Sequence, residues 1–341
     1  MTLRSILCPV DFSPQSRKAL QYAVALARRF GSRLTVMFVN DPLLIAAANA
    51  AYRGQRRFVD RTNAELARFV KQITRTGRRE HESVALIVSV GNPAEEILRQ
   101  AKRLRSDFVV MGSHGLSGIR KVLFGSTTEQ VLRTATVPVL AIPPSIGSRT
   151  TVGRTIEFAR VIAPIDLAGE WQSDAIRAAG FAGEFDAQLL LVHVLARVQT
   201  PPWLRSAARS NERRRIEKAQ AALERVRTKL FADLPSMSTL VVVGDPAHEI
   251  ARLTNRRGSL VVMSLRGTGG VWAMRRGSIA YHVLTHSTTP VLALPRRRLG
   301  GRFSVRARKA INKILTARDR AEMAGIDALL SVGASRKQLK P

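Results

Sequence analysis

The sequence Ile6-Leu-Cys-Pro-Val-Asp11 returns later in the chain as Val161-Ile-Ala-Pro-Ile-Asp166. Three further segments repeat in the same order, and the offset between partners stays at 152 to 155 residues. These pairs are 90–97 with 243–250, 109–111 with 261–263, and 138–143 with 290–295. Four ordered matches at nearly one offset indicate a tandem duplication, in which two copies of one domain follow each other.

Each repeat alternates short apolar runs with longer helical stretches. The apolar runs of the first repeat, rich in Val, Ile and Leu, cover 3–10, 33–39, 84–90, 107–111 and 137–142. Such runs are typical of strands buried on both faces of a parallel sheet. Helices are predicted from Ser13, the N-cap, to Phe30, over about 49–76, and after Pro93, with Gly31 ending the first of them. Each repeat therefore predicts an α/β domain with a doubly wound, open parallel sheet.

Two segments have no counterpart in the duplication. Residues 143–155 contain Gly, Ser, Thr and Arg and are predicted to be a linker. Residues 296–341 hold 13 Lys or Arg and 3 acidic residues. Apolar residues at roughly helical spacing over 304–330 predict an amphipathic helix that docks on the rest of the protein. A basic helix that binds anionic lipid or nucleic acid is the alternative for this tail.

Charge and cysteine content restrict the class of protein. The chain has 341 residues and a formal net charge of +30, of which +20 remains when 296–341 is set aside. Basicity is thus a property of the whole chain and attracts anionic ligands. The single cysteine, Cys8, excludes an internal disulfide framework and is interpreted as a small apolar residue of a buried strand. The chain has no run of 18 apolar residues and no signal-peptide pattern, so the expected location is the cytoplasm.

A glycine-rich loop follows the fourth predicted strand of the first repeat. Gly112 and Gly115 are three residues apart, and Gly125-Ser126 follows after nine intervening residues. Ligands of open α/β sheets bind beyond the carboxyl ends of the strands, where this loop lies. Glycine permits positive φ and lets a phosphate approach backbone N–H groups, and a helix that begins at Ser126 directs its free N–H groups at an anion. The sequence predicts a phosphate cradle; the alternative is a ligand-free turn closed by a capping box over Ser126-Thr-Thr-Glu129.

Three more residues are predicted to face the same crevice. Asp11 ends the first strand, so its carboxylate could accept hydrogen bonds from ribose or adenine, or it could instead help to cap the following helix. Val39 ends the second strand and offers backbone groups to an adenine edge, or it is simply a core residue. His114 lies in the loop, where it could contact a phosphate or remain solvated.

The pattern Gly112-x2-Gly115-x9-Gly125-Ser126, with Pro9-Val10-Asp11 at the first strand and Val137-Pro138-Val139 at the last, resembles the ATP-binding universal stress proteins. The resemblance covers about 1–145 and 157–297, implies an adenine nucleotide alpha hydrolase-like fold in both, and leaves 298–341 unexplained. It implies that Pro9, Val10 and Asp11 contact the adenosine and that Val39 contacts the adenine ring. It also implies that the phosphates, usually with Mg²⁺, lie against Gly112, His114, Gly115, Gly125, Ser126 and Thr127.

The second repeat departs from this pattern. Its loop reads Ser264-Leu-Arg-Gly267, and Gly277-Ser278 follows after nine residues. The candidate ligand-binding residues of this repeat are Asp166, Val194, Arg266, Gly267, Gly277 and Ser278. If the first position requires positive φ, Ser264 costs on the order of 1 kcal/mol there. We therefore expect weaker or altered nucleotide binding in the second repeat.

Catalytic patterns are missing from the sequence. The chain has no G-x4-G-K-[ST] motif, no carboxylate in the glycine-rich loop to activate a water, and no Cys/His cluster of metal-ligand spacing. No catalytic residue is predicted, and ATP hydrolysis is expected to be slow or absent. The favoured function is a nucleotide-dependent regulatory or stress-response factor. A slow ATPase on the same fold and a polyanion-binding protein that uses the tail are the alternatives.

The last apolar run of each repeat predicts an association between the repeats. Residues 137–142 and 289–294 are apolar edge strands, which would invite aggregation if left unpaired. We expect them to pair within one chain, and a homodimer is the alternative association.

Overall fold

The structure is a computed structural model. It describes residues 3–43, 45–46, 55–74, 84–113, 125–145, 156–167, 171–197, 201, 203, 205–231, 236–254, 258–265 and 279–295. Among these residues, the strands are β1 (Ser5–Pro9), β2 (Arg33–Asn40), β3 (Ala85–Val90), β4 (Phe108–Gly112), β5 (Val139–Ile142), β6 (Arg160–Pro164), β7 (Gln188–Leu195), β8 (Met237–Val243), β9 (Ser259–Ser264) and β10 (Val291–Leu294). The helices are α1 (Pro14–Phe30), α2 (Gln55–Thr74), α3 (Pro93–Arg103), α4 (Ser126–Thr134), α5 (Gln172–Phe185), α6 (Arg205–Leu230), α7 (Pro246–Leu253) and α8 (Ile279–His286).

The chain folds into two compact units. The first unit comprises 2–157 together with 264–296, and the second comprises 158–263 in the described part of the chain. In the first unit the strand order is β3-β2-β1-β4-β5-β10, with β1 to β5 parallel. In the second unit the order is β9-β6-β7-β8, again parallel. The order reverses its direction at β1 in the first unit, so the predicted doubly wound parallel sheet is confirmed.

Burial of the central strands explains their composition. Every residue of β1, β5 and β10 is buried, as expected for strands covered on both faces. Cys8 is fully buried in β1, which confirms its interpretation as a small core residue, and burial raises the pKa of its thiol. Among the described helices, none is both long and apolar enough to cross a bilayer.

Helix α1 begins and ends at the predicted residues. The Ser13 side chain accepts a hydrogen bond from the Ser16 N–H (3.0 Å), and Pro14 opens the helix, where its missing N–H costs nothing. Gly31 follows the last turn with φ of +62°, a left-handed conformation that glycine adopts without strain. Both ends therefore confirm the sequence prediction.

The other predictions on helices of the first repeat are confirmed as far as the described residues allow. Helix α2 lies inside the predicted range 49–76, whose flanks at 49–54 and 75–76 fall outside the described residues. Helix α3 begins at Pro93, and the Asn92 side chain accepts from the N–H groups of Ala94 (3.0 Å) and Glu95 (3.3 Å). Most of the predicted linker, from residue 146 on, and all of the tail at 296–341 lie outside the described part of the chain.

Strands β5 and β10 pair antiparallel, which confirms the pairing expected of 137–142 and 289–294. The register places Leu292 opposite Leu140, Val291 opposite Ala141, and Ala293 opposite Val139. This pairing gives β5 a hydrogen-bonded neighbour on both sides, because β4 lies on its other side. Consequently α8 and β10, which belong to the second repeat by sequence, belong to the first unit by packing. The boundaries 1–145, 157–297 and 298–341 describe the repeats and stay a prediction.

The N-terminal cap of α3 can be tested by substitution of Asn92. Replacement of Asn92 by Ala removes the acceptor for two backbone N–H groups and is expected to lower the free energy of unfolding by about 1 kcal/mol. Asn92→Asp keeps the acceptor and places a negative charge at the positive end of the helix, so it should match the natural protein. Urea denaturation followed by circular dichroism measures both, and equal midpoints for the two variants would contradict the assignment.

Candidate functional site

The carboxyl ends of β1 and β4 lie side by side in the first unit. The register pairs Ile6 with Phe108 and Leu7 with Val109 in a parallel ladder. Beyond β1, the Val10 N–H donates to the Met37 carbonyl (2.8 Å), so the chain stays beside β2 until Asp11. The predicted adenosine segment at residues 9–11 and the first loop glycine therefore meet at one edge of the sheet, at the reversal of strand order where open α/β sheets bind ligands.

Three hydrogen bonds close the glycine-rich loop at its base. The Ser113 N–H donates to the Ile142 carbonyl (2.9 Å), and the Gly125 N–H donates to the Ser113 carbonyl (3.1 Å). The Thr128 hydroxyl donates to the Gly112 carbonyl (2.9 Å). Residues 112 and 125, separated by a dozen positions in sequence, are thus brought together, and α4 begins at the end of β4. The loop itself, 114–124, which includes the predicted ligands His114 and Gly115, lies outside the described residues.

The start of α4 differs from the alternative that the sequence left open. Its N-cap is Gly125, which provides no side-chain cap, so a capping box based on Ser126 is wrong. The Thr128 hydroxyl is bound to β4 instead, and the Glu129 carboxylate pairs with Arg133. In any α-helix the first N–H groups have no partner inside the helix and carry the positive end of its dipole. Ser126 is exposed and Thr127 half-buried, so this end of α4 faces outward.

The two described glycines of the loop, Gly112 and Gly125, do not need positive φ, although the sequence had suggested it for the first of them. Gly125 has φ of −60° and ψ of 134°, which any residue adopts. Gly112 is the last residue of β4, in register with Ile142, and is therefore extended. What glycine contributes at these places is the lack of a Cβ. Ser264 likewise ends a strand, β9, so the strain cost predicted for it does not arise; only its extra side chain remains.

Asp11 has a local structural role in the turn before α1. Its Oδ1 accepts a hydrogen bond from the Ser13 N–H (3.0 Å), and its own N–H donates to the Ser16 hydroxyl (3.3 Å). The alternative that Asp11 helps to start the following helix is therefore correct for one carboxylate oxygen. Val39 is half-buried and in register with Ser89 of β3, at the same edge of the sheet.

An aromatic cluster next to Asp11, made of Phe12, Phe38 and Phe69, was not foreseen from the sequence. Phe12 has φ of +62°, a conformation that costs a bulky residue on the order of 1–2 kcal/mol. Its ring stacks on Phe38 (centroids 4.6 Å apart) and meets the edge of Phe69 at 5.4 Å, and the Arg17 guanidinium lies 4.7 Å from the centre of Phe69. These contacts join three distant segments, so no local signal could have revealed them.

The second repeat builds the same edge from β6 and β7. The Ile165 N–H donates to the Val192 carbonyl (2.8 Å), as Val10 does to Met37 in the first repeat. By this register Asp166 and Val194 occupy the places of Asp11 and Val39, as predicted from the repeat. The other four candidates of this repeat, Arg266, Gly267, Gly277 and Ser278, lie outside the described residues.

The comparison with known families agrees with this geometry. A sequence profile of the universal stress protein family matches residues 2–143 and again residues 157–295. The chain belongs to the universal stress protein family. Two similar relatives come from Methanocaldococcus jannaschii and Bacillus subtilis. The first, universal stress protein MJ0531, is 28% identical over 142 residues, which are 41% of this chain and 81% of that protein. The second, universal stress protein YxiE, is 27% identical over 143 residues, which are 40% of this chain and 97% of that protein.

Solved structures of similar fold extend over both repeats. A universal stress protein from Archaeoglobus fulgidus superposes with a TM-score of 0.60 at 21% identity, over 86% of this chain and 97% of that one. A functionally unknown protein from Pseudomonas aeruginosa superposes with a TM-score of 0.58 at 16% identity, over 97% and 98% of the two chains. These likenesses support the tandem fold of this universal stress protein.

A buried histidine of this universal stress protein was missed by the sequence reasoning. His193 lies in β7 with 5% of its surface exposed, and its Nδ1 is 3.1 Å from the Ile165 carbonyl oxygen. Burial lowers the pKa of His193; the Ile165 carbonyl and the Asp166 carboxylate oppose this shift, and the positive charge of Arg215 adds to it. The available signal was a lone histidine in the apolar run Leu189-Leu-Leu-Val-His-Val-Leu195.

The closure of the glycine-rich loop leads to a test at Thr128. Thr128→Val keeps the shape of this buried side chain and removes the donor to the Gly112 carbonyl, so we expect the free energy of unfolding to fall by about 1 kcal/mol. Thr128→Ser keeps the hydroxyl but loses a buried methyl, so it measures the packing contribution of the same side chain separately. Chemical denaturation measures both variants against the natural chain, and a valine variant as stable as the natural chain would show that the bond contributes nothing.

The lowered pKa of His193 predicts a pH dependence of stability. Below its ordinary value of 6.5 the unfolded chain binds a proton that the folded chain does not bind, so stability is full above that pH and falls as the pH drops through it. His193→Phe is expected to flatten this acid loss. His248→Phe, at an exposed position, is the control and should keep it. Denaturation midpoints from neutral to mildly acidic pH measure the effect, and parallel curves for His193→Phe and the natural chain would refute it.

Proposed function

We propose that this universal stress protein binds ATP at its first repeat and acts as a nucleotide-dependent regulatory or stress-response factor. The observation that supports the proposal is the pair of hydrogen bonds that connects the end of β4 to the start of α4. The bonds from Gly125 to Ser113 and from Thr128 to Gly112 hold a helix N-terminus, whose N-cap Gly125 supplies no side-chain hydrogen bond, at the carboxyl edge of a parallel sheet. Backbone N–H groups and a positive dipole end in such a place suit an anion of phosphate charge.

The assignment of residues within the proposed site follows the motif resemblance. Gly112, Gly125, Ser126 and Thr127 would hold the phosphates, together with His114 and Gly115. Glycine suits positions 112 and 125 because a Cβ would stand between the backbone and a phosphate. The φ angles at these two positions do not themselves require glycine. The hydroxyls of Ser126 and Thr127 add donors at the helix end.

The adenosine would lie against residues 9–11 and Val39. Pro9 and Val10 continue β1 to the edge, and Val39 stands at the end of the neighbouring strand. The Asp11 carboxylate, which already accepts from the Ser13 N–H, would face the adenosine there. A carboxylate accepts hydrogen bonds from ribose hydroxyls, and a strand end offers both a donor and an acceptor to a base edge.

Magnesium, which accompanies the triphosphate in the proposal, would be held chiefly by phosphate oxygens and water. Among the described residues no group of three or more His, Cys, Asp and Glu side chains could hold a metal ion. Mg²⁺ commonly keeps several waters and binds through substrate phosphates rather than through a cage of protein ligands. Its contribution when bound is to neutralise phosphate charge.

Binding rather than turnover is the proposed use of the nucleotide. The loop sequence has no carboxylate to activate a water. ATP bound at this site would favour one conformation of the protein surface over another, and a partner that contacts only that conformation would respond to the nucleotide.

Substitution of a loop glycine tests the proposal. Gly125→Val should abolish ATP binding, because the added side chain occupies the space in front of the α4 N-terminus, while its φ of −60° leaves the fold intact. Gly183→Val is the matched control, since a Cβ on Gly183 in α5 meets nothing within 4 Å. Native mass spectrometry in the presence of Mg-ATP counts bound nucleotides.

The expected pattern is loss of one tightly bound ATP in Gly125→Val and no loss in Gly183→Val. A natural chain that binds no adenine nucleotide at millimolar concentration would overturn the proposed function. Two equally tight sites would overturn the expected ranking of the repeats.

A further inference from the structure

The two repeats differ at the aromatic cluster, and the sheet register shows how. Pro9 is in register with Met37, and Pro164 with Val192, so Phe38 of the first repeat corresponds to His193 of the second. Counting onward from Asp11 and Asp166 in the same way, Phe12 corresponds to Leu167. An aromatic pair in one repeat has thus become a leucine and a histidine in the other.

The helix that covers this pair changes too. The buried stripe of α2 is Leu66, Phe69, Val70 and Ile73, and that of α6 is Ala219, Ala222, Leu223 and Val226. The two stripes match at a constant offset, so Ala222 stands where Phe69 closes the aromatic cluster. By the same offset Arg215 stands in the place of Thr62. The second repeat has lost aromatic volume here and gained an imidazole and a nearby positive charge.

The imidazole of His193 has one nitrogen satisfied and one that is not. A carbonyl oxygen only accepts, so Nδ1 carries the hydrogen and donates to Ile165. In the neutral ring Nε2 is then a bare acceptor. It is buried and has no hydrogen-bond partner among the residues that the structure describes. A buried acceptor without a donor costs stability, so such a group calls for an explanation.

The position of the imidazole ring suggests which group donates a hydrogen bond to Nε2. The Ile165 carbonyl directly precedes Asp166, the counterpart of Asp11, so His193 lies at the carboxyl end of β6 and beside the strand end at Val194. We propose that Nε2 of His193 accepts a hydrogen bond from an N–H or O–H group of a nucleoside ligand in the second repeat. This inference rests on the proposed function. Phe38 has no acceptor to offer, so the two repeats read different parts of a nucleotide.

The test isolates the second repeat in the full chain. Gly125→Val is the background that removes the first site, and calorimetric titration with Mg-ATP then measures the second. Adding His193→Phe, which installs the residue of the first repeat, should weaken this binding at least tenfold, about 1.4 kcal/mol. Adding His248→Phe instead should leave the affinity unchanged. An affinity within twofold of the background after His193→Phe overturns the inference.

Nucleotide analogues identify which donor group of ATP forms the hydrogen bond to Nε2 of His193. Purine riboside triphosphate lacks the 6-amino group, and the 2′-deoxy and 3′-deoxy forms of ATP each lack one ribose hydroxyl. One of them should bind the background chain at least tenfold more weakly than ATP does, and should lose nothing further when His193→Phe is added. If all three bind as ATP does, no base or ribose donor reaches His193 and the inference is wrong.

A spectroscopic readout on the natural chain avoids any effect of the substitution on folding. With ¹⁵N-labelled histidine, the Nε2 resonance of His193 should move upfield when the second repeat is saturated with ATP. An unmoved resonance would assign the acceptor to a buried water and overturn the inference. ATP bound at the first repeat but not at the second would also overturn it, while the proposed function would stand; no ATP at either repeat would end both.

Discussion

The hydrogen bond from the Thr128 hydroxyl to the Gly112 carbonyl joins the end of β4 to the first turn of α4. Together with the bond from Gly125 to Ser113, it fixes the helix N-terminus against the end of β4. Without this join, the free N–H groups of α4 would have no defined relation to the edge where β1 and β4 end.

Because the domain is duplicated, the chain has two such sheet edges, one at the carboxyl ends of β1 and β2 and one at those of β6 and β7. The side chains at the two edges differ in chemical character. The first is lined by the stacked rings of Phe12 and Phe38 above an Asp11 turn. In the second, His193 brings a polar acceptor into the apolar run 189–195 of β7, with the charges of Asp166 and Arg215 nearby. The shared register gives the described strand ends of the two repeats the same backbone frame, and their side chains differ.

Sequence reasoning succeeded for helix ends and for the pairing of the last strands of the two repeats, and it failed for side-chain contacts between distant segments. The cap at Ser13, the stop at Gly31 and the start of α3 at Pro93 depend on residues within one helical turn, and all three are confirmed. The capping box at Ser126 obeyed the same local rule and was wrong, because the nearby β4 carbonyl competes for the Thr128 hydroxyl. A positive φ was considered for the first loop glycine, but Gly112 is extended, and the strained residue is Phe12, which long-range ring contacts stabilise.

By itself, the amino-acid sequence determined the duplication, the order of strands and helices, the parallel sheet and the glycine pattern of the loop. These follow from hydrophobic periodicity and spacing, which are written along the chain. Tertiary structure alone decided the antiparallel register of β5 with β10, the partner of Thr128 and the proton position on His193. Each of these depends on which carbonyl or strand lies opposite, and that is settled only when the chain has folded.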